Sequence, residues 1–180
     1  MALEAMELEI KLAAATDSVW SELFGLALIA EATIEGTVAE KALESHYFDT
    51  VSRRLARAGY AYRIRRTPSG FVATLKGFGR MEGGLAHRPE FEAAVPDVVP
   101  DLSVFDGAAV GADLPALLAG EALTRLFTVD VVRRQRQLQL TPQTRVEMAV
   151  DFGRIVADGQ ENPLADVELE LLAGDVGDLL

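Results

Sequence analysis

The chain has 180 residues, no cysteine, 17 basic against 28 acidic side chains and a formal net charge of −11. That length suits one domain burying about 70% of the surface its unfolded chain exposes, and 49% apolar with 25% charged residues marks a folding chain, not a disordered one. The composition excludes a disulfide framework, a thiolate nucleophile, a sulfur-ligated zinc and, with only His46 and His87, a multi-histidine metal cage; the acidic balance argues against nonspecific binding to nucleic acid or acidic lipid.

No stretch reads as an address or an anchor. The segment 1–7 is acidic where a signal peptide carries positive charge before an apolar run. The most apolar window, 23–30, lies between Glu22 and Glu31 and is far shorter than the ~20 residues that cross a bilayer. The expectation is a cytoplasmic protein that meets no membrane.

Residues 6–12 alternate, with Glu7, Glu9 and Lys11 on one side and Leu8, Ile10 and Leu12 on the other, predicting a strand with one apolar face. From Asp17 to about Ala39 the pattern turns helical. Thr16, Asp17 or Ser18 can cap its start, and Val19, Leu23, Leu26, Ala27 and Ala30 recur at helical spacing. Trp20 on this helix reads as core. Strands are predicted near 45–50, 60–66 and 70–76, the last two joined by a turn at Pro68-Ser69-Gly70. Tyr47, Tyr60 and Tyr62 read as strand packing, and His46 and His87 as structural or surface residues. Gly77, Gly79, Gly83 and Gly84 mark a flexible connection into an alternating run at 87–95. Residues 96–113 are loop-like, and Leu114 to Phe127 reads as a short helix with Pro115 in its first turn. Alternating segments follow at about 128–140, 144–151 and 166–172, with Gly153, Asp158-Gly159 and Pro163 punctuating the stretch between the last two. The expectation is one α+β domain over residues 1–180, mostly β. Its large, mainly antiparallel sheet would be closed or strongly curved, with two helices packed outside.

The polar sides of these strands carry Glu7, Glu9, Lys11; Arg63, Arg65; Lys76; Arg88, Glu90, Glu92; Arg133; Glu147, with Asp151 a further candidate; and Asp166, Glu168, Glu170. A half-solvated antiparallel strand is polar on one face in any case. Ordinary solvent faces, however, mix Thr, Ser, Gln and Lys, whereas carboxylates dominate here and arginine outnumbers lysine. Arginine suits planar, multi-point recognition of phosphate or carboxylate, and clustered carboxylates are what a hard divalent cation requires. On converging strands the two together make a site for a metal-bound polyanion.

At this point the chain resembles the CYTH domain family, the triphosphate tunnel metalloenzymes. The resemblance begins at Glu7-Leu-Glu-Ile-Lys11 and continues through His46-Tyr-Phe-Asp-Thr50, Gly59-Tyr-Ala-Tyr-Arg-Ile-Arg65 and Thr74-Leu-Lys76. Gly83-Gly-Leu-Ala-His-Arg-Pro-Glu90 is similar to the bacterial inorganic triphosphatase subgroup, whose members often carry a C-terminal CHAD domain. The series ends with Phe127 to Arg133 and Val167-Glu-Leu-Glu-Leu-Leu-Ala-Gly-Asp175, so it spans nearly the whole chain in order.

The resemblance implies an eight-stranded antiparallel closed β-barrel, a tunnel with its charged faces inward and helices outside. It assigns Lys11, Arg63, Arg65, Lys76, Arg88 and Arg133 to the phosphates and Glu7, Glu9 and Glu170 to a catalytic Mg2+ or Mn2+. Glu168 would position or deprotonate the attacking water, with Lys11 and Arg63 at the reacting phosphate, and Glu90, Glu92 and Glu147 would share the tunnel. The implied reaction is metal-dependent hydrolysis of inorganic triphosphate to pyrophosphate and phosphate. A thiamine triphosphatase, a class IV adenylyl cyclase-like enzyme and a non-catalytic polyphosphate- or nucleotide-binding module are the alternatives on the same fold. The family pattern continues into a C-terminal helix, whereas this sequence ends at Leu180. The reading is a domain without that helix, or a fragment of a longer protein with a CHAD domain covalently linked beyond residue 180. Two departures, Arg136 where a tryptophan is common and Val129 where a threonine is usual, bear on the shape of one tunnel wall.

Overall fold

Strands that alternate charged with large apolar side chains need two different surroundings, and a closed barrel supplies them. The computed structural model describes residues 2–14, 19–77, 79–82 and 84–179. Among these the strands are β1 (Leu3–Ala13), β2 (Ala39–Thr50), β3 (Ala61–Thr67), β4 (Gly70–Lys76), β5 (Arg80–Glu82), β6 (Leu85–Val95), β7 (Leu123–Gln139), β8 (Arg145–Ala157) and β9 (Gln160–Ala173). The helices are α1 (Val19–Gly25), α2 (Ala27–Ala32), α3 (Arg54–Arg57) and α4 (Leu114–Leu118). Antiparallel pairing runs β1-β9-β8-β7-β2-β3-β4-β6, and β6 pairs back onto β1, so eight strands close a ring. Short β5 continues beside β6 beyond the end of β4. Closure leaves the ring with no free edge, and the mostly β, eight-stranded expectation holds.

The apolar faces point outward, beneath the helices. Phe48, Tyr62, Ile64, Leu75 and Phe91 pack under Leu55 of α3 and under Leu102, Phe105, Val110 and Leu114 of the long 96–118 segment. Tyr62 is fully buried, its hydroxyl within 3.3 Å of the Asp101 carbonyl, and burial pushes the phenol up to about 12. A second cluster sets Leu85, Leu138, Val146 and Met148 against Phe24, Ile29 and Leu179. No helix among the described residues is long and apolar enough to cross a membrane.

Several boundaries differ from the sequence expectation, each for a local reason. The helical stretch 17–39 is two short helices, because Leu26 adopts an extended backbone (φ −66°, ψ 128°). It ends at Ala32, since Thr33 bridges to Leu138 and Gly36, at φ +78°, turns the chain into β2. The candidate caps Thr16, Asp17 and Ser18 and the side chains of Val19 and Trp20 lie outside the described residues, as does Gly83. The helix expected over 114–127 stops at Leu118. Ala119 and Gly120 both have positive φ (49° and 78°), and 123–127 starts β7 instead. The glycine-rich 77–84 connection contains β5, and α3 was not anticipated. The buried Asp49 carboxylate holds α3 by accepting from the Leu55 and Ala56 amides at 2.9 and 3.0 Å.

Gly153 and Pro163 lie inside β8 and β9, not in a loop, and only Asp158-Gly159 (φ 49° and 75°) makes the turn. Among the described residues β1 pairs with β9 only from Asp166 onward, so Pro163 lies on a stretch of β9 whose described partner is β8 alone, the edge-like setting in which a strand tolerates proline. Gly153 is required by close approach: a Cβ there would fall 2.0 Å from the Asp130 carbonyl oxygen. Gly153→Ala is therefore expected to push β7 and β8 apart and to destabilise the fold by about 1–3 kcal/mol, read as a lowered thermal midpoint. An unchanged midpoint would mean that the ladder absorbs the methyl freely.

Candidate functional site

The register around the ring places the predicted charged residues on one face. Side chains directly opposite in antiparallel strands share a face, with Cβ atoms about 4.5–5.5 Å apart. Glu7 stands opposite Arg88, Lys11 opposite Glu168, and Glu9 opposite Glu170, which in turn stands opposite Glu147. Asp166 faces Asp151, which faces Arg133; Ser45 faces Arg65, Arg63 faces Thr74, and Lys76 faces Glu90. The outward faces are the apolar clusters already described. The six predicted phosphate ligands, Lys11, Arg63, Arg65, Lys76, Arg88 and Arg133, thus line one interior together with Glu7, Glu9, Glu90, Glu92, Glu147, Glu168 and Glu170.

Most of these charges hold one another. Lys76 Nζ donates to both Glu7 oxygens at 2.6 and 2.7 Å and lies 3.6 Å from Glu90. Arg88 pairs with Glu9 and, at 3.8 Å, with Glu7. Arg63 reaches Glu90 at 3.7 Å, and Thr74 donates to Glu92 at 3.0 Å. On another arc of the ring Lys11 sits between Asp166 (2.9 Å) and Glu168 (2.8 Å). Arg133 grips Asp151 through Nε and Nη2, both at 2.7 Å, and also reaches Glu168. Burial alone would raise the Glu168 carboxyl, but Arg133 and Lys11 outweigh it and hold the group at about 2. Burial works against charge on Lys11, yet Glu168 and Asp166 leave its pKa raised.

Two parts of the lining are not neutralised in this way. On β1, β9 and β8 the carboxylates Glu9, Glu170 and Glu147 form a row in which, among the described residues, only Glu9 has a cationic partner, Arg88. Burial, then Glu7, Glu147 and Glu90, push Glu170 up. On β3, four strands away from β9 in the eight-stranded ring, Arg65 has no carboxylate partner among the described residues. Its Nε donates to the neutral Ser45 hydroxyl at 3.1 Å. Burial, then Arg63 and Arg133, lower its pKa to about 10, which is the mark of a cation short of an anion. The Nε atoms of Arg63 and Arg88 are buried with no acceptor. A carboxylate row facing unsatisfied guanidinium groups can take a hard cation on one wall and an anion on the other.

The donors of the row are all oxygens, as Mg2+ or Mn2+ prefers. Among the described residues no three Asp, Glu or His side chains already converge on a common point, since Glu7 and Glu9 are closed onto Lys76 and Arg88. Asp151 and Asp166 add two carboxylates to the interior. Both stood on the alternating polar face, but their partners Arg133 and Lys11 are set beside them only by the strand register. Ser45 and Gln135, which donates to Glu147 at 2.9 Å, carry no signal of a role in a single sequence. Tyr47 faces inward and stacks on Phe127 with centroids 4.6 Å apart.

His46 lies on the outward face and contacts Thr128 (3.2 Å) and Glu44 (3.0 Å). Arg136 also points outward, 4.0 Å over the Phe24 ring, so it does not shape the tunnel wall, whereas Val129 stands opposite Ser45 on the inward face. At one mouth a cavity of about 340 Å³ opens beside Lys76 and Arg88, lined also by Tyr60, Arg80 and Met81.

Residues 5–179 match the CYTH domain family. The inorganic triphosphatase of Haemophilus influenzae is 30% identical over 138 residues, 76% of this chain and 38% of that protein. The chain therefore spans well under half the length of that relative. A Bacillus halodurans structure assigned as an adenylate cyclase superposes with a TM-score of 0.55 at 20% identity, covering 93% of this chain and 81% of that one. A Hippeastrum protein, described as an adenylyl cyclase candidate with a dominant triphosphatase activity, gives 0.53 at 18% identity, covering 91% and 79%.

The unneutralised Arg65 has a direct consequence for stability. Arg65→Met keeps the stem and removes a buried charge repelled by Arg63 and Arg133, so the ligand-free protein is expected to melt ~2–4 °C higher. A scan in anion-poor buffer checks this; a lower midpoint would mean that the guanidinium is compensated where it stands.

Proposed function

The chain belongs to the CYTH domain family, and from that premise we propose that it hydrolyses inorganic triphosphate to pyrophosphate and phosphate inside its charged barrel, with a divalent metal. The observation that carries the reading is the interior polarity. Arg65 has only a neutral hydroxyl on its Nε, and the Nε atoms of Arg63 and Arg88 are buried without an acceptor although both residues pair elsewhere with a carboxylate. A carboxylate row lies across the ring from Arg63 and Arg65. A solvated scaffold would have no reason to bury either.

Lys11, Arg63, Arg65, Lys76, Arg88 and Arg133 bind and orient the phosphate chain in this proposal, spreading its negative charge over several donors. Glu7, Glu9 and Glu170 would hold Mg2+ or Mn2+, and the chemistry such an ion supplies when bound is polarisation of phosphoryl oxygens. Glu168, held as a carboxylate by Arg133 and Lys11, accepts a hydrogen bond from the attacking water and directs its oxygen at a terminal phosphorus. A water O–P bond forms, the phosphoanhydride P–O bond breaks, pyrophosphate leaves with the bonding pair, and the proton shed by the water ends on the departing pyrophosphate oxygen. Lys11 and Arg63 meet charge on the transferring phosphoryl group. The proposal takes residues 1–180 as a single CYTH domain, with a CHAD domain covalently linked beyond it.

The mouth cavity with Tyr60, Arg80 and Met81 favours a second reading. An organic group on the end of the triphosphate, as in thiamine triphosphate or ATP, would find a ring and apolar contacts there. A substrate panel with Mg2+ or Mn2+ separates the readings by phosphate release, by cyclic nucleotide formation, or by tight binding without turnover. Glu170→Gln is expected to lower metal-dependent phosphate release from inorganic triphosphate by about 10²-fold or more, and to shift the metal titration to higher concentration. Full turnover at the wild-type metal concentration would remove Glu170 from the metal site.

A further inference from the structure

Arg65 and Ser45 are direct partners across β3 and β2, and Ser45 is 3% exposed. The Arg65 Nε–H donates to Ser45 Oγ at 3.1 Å. A guanidinium offers an anion either its Nε side or the end carrying its two Nη groups. Ser45 occupies Nε and fixes the plane, so the Nη end is the face left for a ligand.

Arg133 provides the contrast within the same barrel. Its Nε and Nη2 are taken by Asp151, and its Nη2 also meets Glu168. That guanidinium is oriented, but its charge is matched by carboxylates. A hydroxyl orients without neutralising, and among the described residues no carboxylate is in ion-pair contact with Arg65, Asp151 acting on it only from a longer distance. Val129, opposite Ser45 on the other flank, supplies no polar atom that could replace the hydroxyl.

We infer that Ser45 is a positioning residue that presents Arg65, oriented and still fully charged, to a phosphate of the substrate. The inference rests on reading the interior as a triphosphate site and assigns Ser45 a part in substrate affinity through Arg65. An aspartate at this position would orient the guanidinium equally well and cancel the charge that makes it useful.

The test is steady-state kinetics with inorganic triphosphate and Mg2+, paired with calorimetric binding of inorganic triphosphate to the whole chain. Ser45→Ala is expected to raise KM about tenfold with kcat changed less than about threefold, the split of a lost binding contact. Ser45→Thr, which keeps the hydroxyl, restores most of the affinity, whereas Ser45→Asp loses as much as Arg65→Ala. In an Arg65→Ala background Ser45→Ala should cost nothing more, because the residue acts through the guanidinium. Wild-type affinity in Ser45→Ala, or additive losses in the double variant, would overturn the inference while leaving the triphosphate reading intact. If the wild-type chain neither binds nor hydrolyses inorganic triphosphate, both fall together.

Discussion

A barrel whose interior is lined by charge can close only if the charges largely neutralise one another. Taking an isolated carboxylate or guanidinium out of water costs several kcal/mol even after relaxation, and a residue cannot turn outward without exchanging its place with the apolar neighbour next along the strand. Here the two halves of that constraint meet. Lys76 and Arg88 hold Glu7 and Glu9, and Lys11 and Arg133 hold Asp166, Glu168 and Asp151. The outward faces are meanwhile buried under the 96–118 segment and the first two helices. Hydrophobic burial thus acts on the outside of the sheet and ion pairing on the inside. Neither would close the ring alone.

The places where neutralisation stops are the places with chemical meaning. Among the described residues Glu170 and Glu147 have no cation in ion-pair contact, and Arg65 has no anion. The two arcs are centred four strands apart in a ring of eight, so direct ion pairing between them would have to span the interior. In the proposed reaction Glu7 and Glu9 have competing partners, because lone pairs given to Lys76 and Arg88 are not available to a metal. Release of those two cations toward phosphate and uptake of a cation by the two carboxylates are then linked events, each making the other less costly. The ion pairs seen in the barrel are the resting arrangement from which that exchange would start.

Much of this was legible in the sequence because period-2 alternation reports a side chain's face directly. Lys11, Arg63, Lys76 and Glu170 could be put on polar faces without knowing any strand partner. The boundaries were less legible. Leu123, Leu126 and Phe127 satisfy a helical spacing as well as a strand, and only the consecutive positive φ angles at Ala119 and Gly120 decide the matter. Gly153 and Pro163 carry the signature of a loop, yet one answers a close backbone approach and the other sits where its strand has a single neighbour among the described residues. Asp166 was on the correct face but without a role, since its partner Lys11 lies in a strand 155 positions earlier and meets it only through the β1–β9 register. Ser45 was silent for the same reason: a serine acquires significance only from the guanidinium that the sheet sets opposite it.

The net charge of −11 illustrates the same limit from the other direction. Summed over the chain it opposes affinity for polyanions at long range, where repulsion depends on the total. Inside the barrel the total is irrelevant, because a ligand within a few ångströms of Arg63, Arg65 and Arg88 responds to those groups in a poorly screened, low-dielectric setting. What decides which regime applies is whether β6 returns to β1. That single pairing, from Leu3 opposite Glu92 to Ile10 opposite Leu85, converts eight half-charged strands from a surface facing water into a lining facing itself. Without it Arg65 would be one more hydrated arginine; with it, the same residue is a largely buried cation with no counter-charge in contact among the described residues, the place the proposed reading gives to a phosphate.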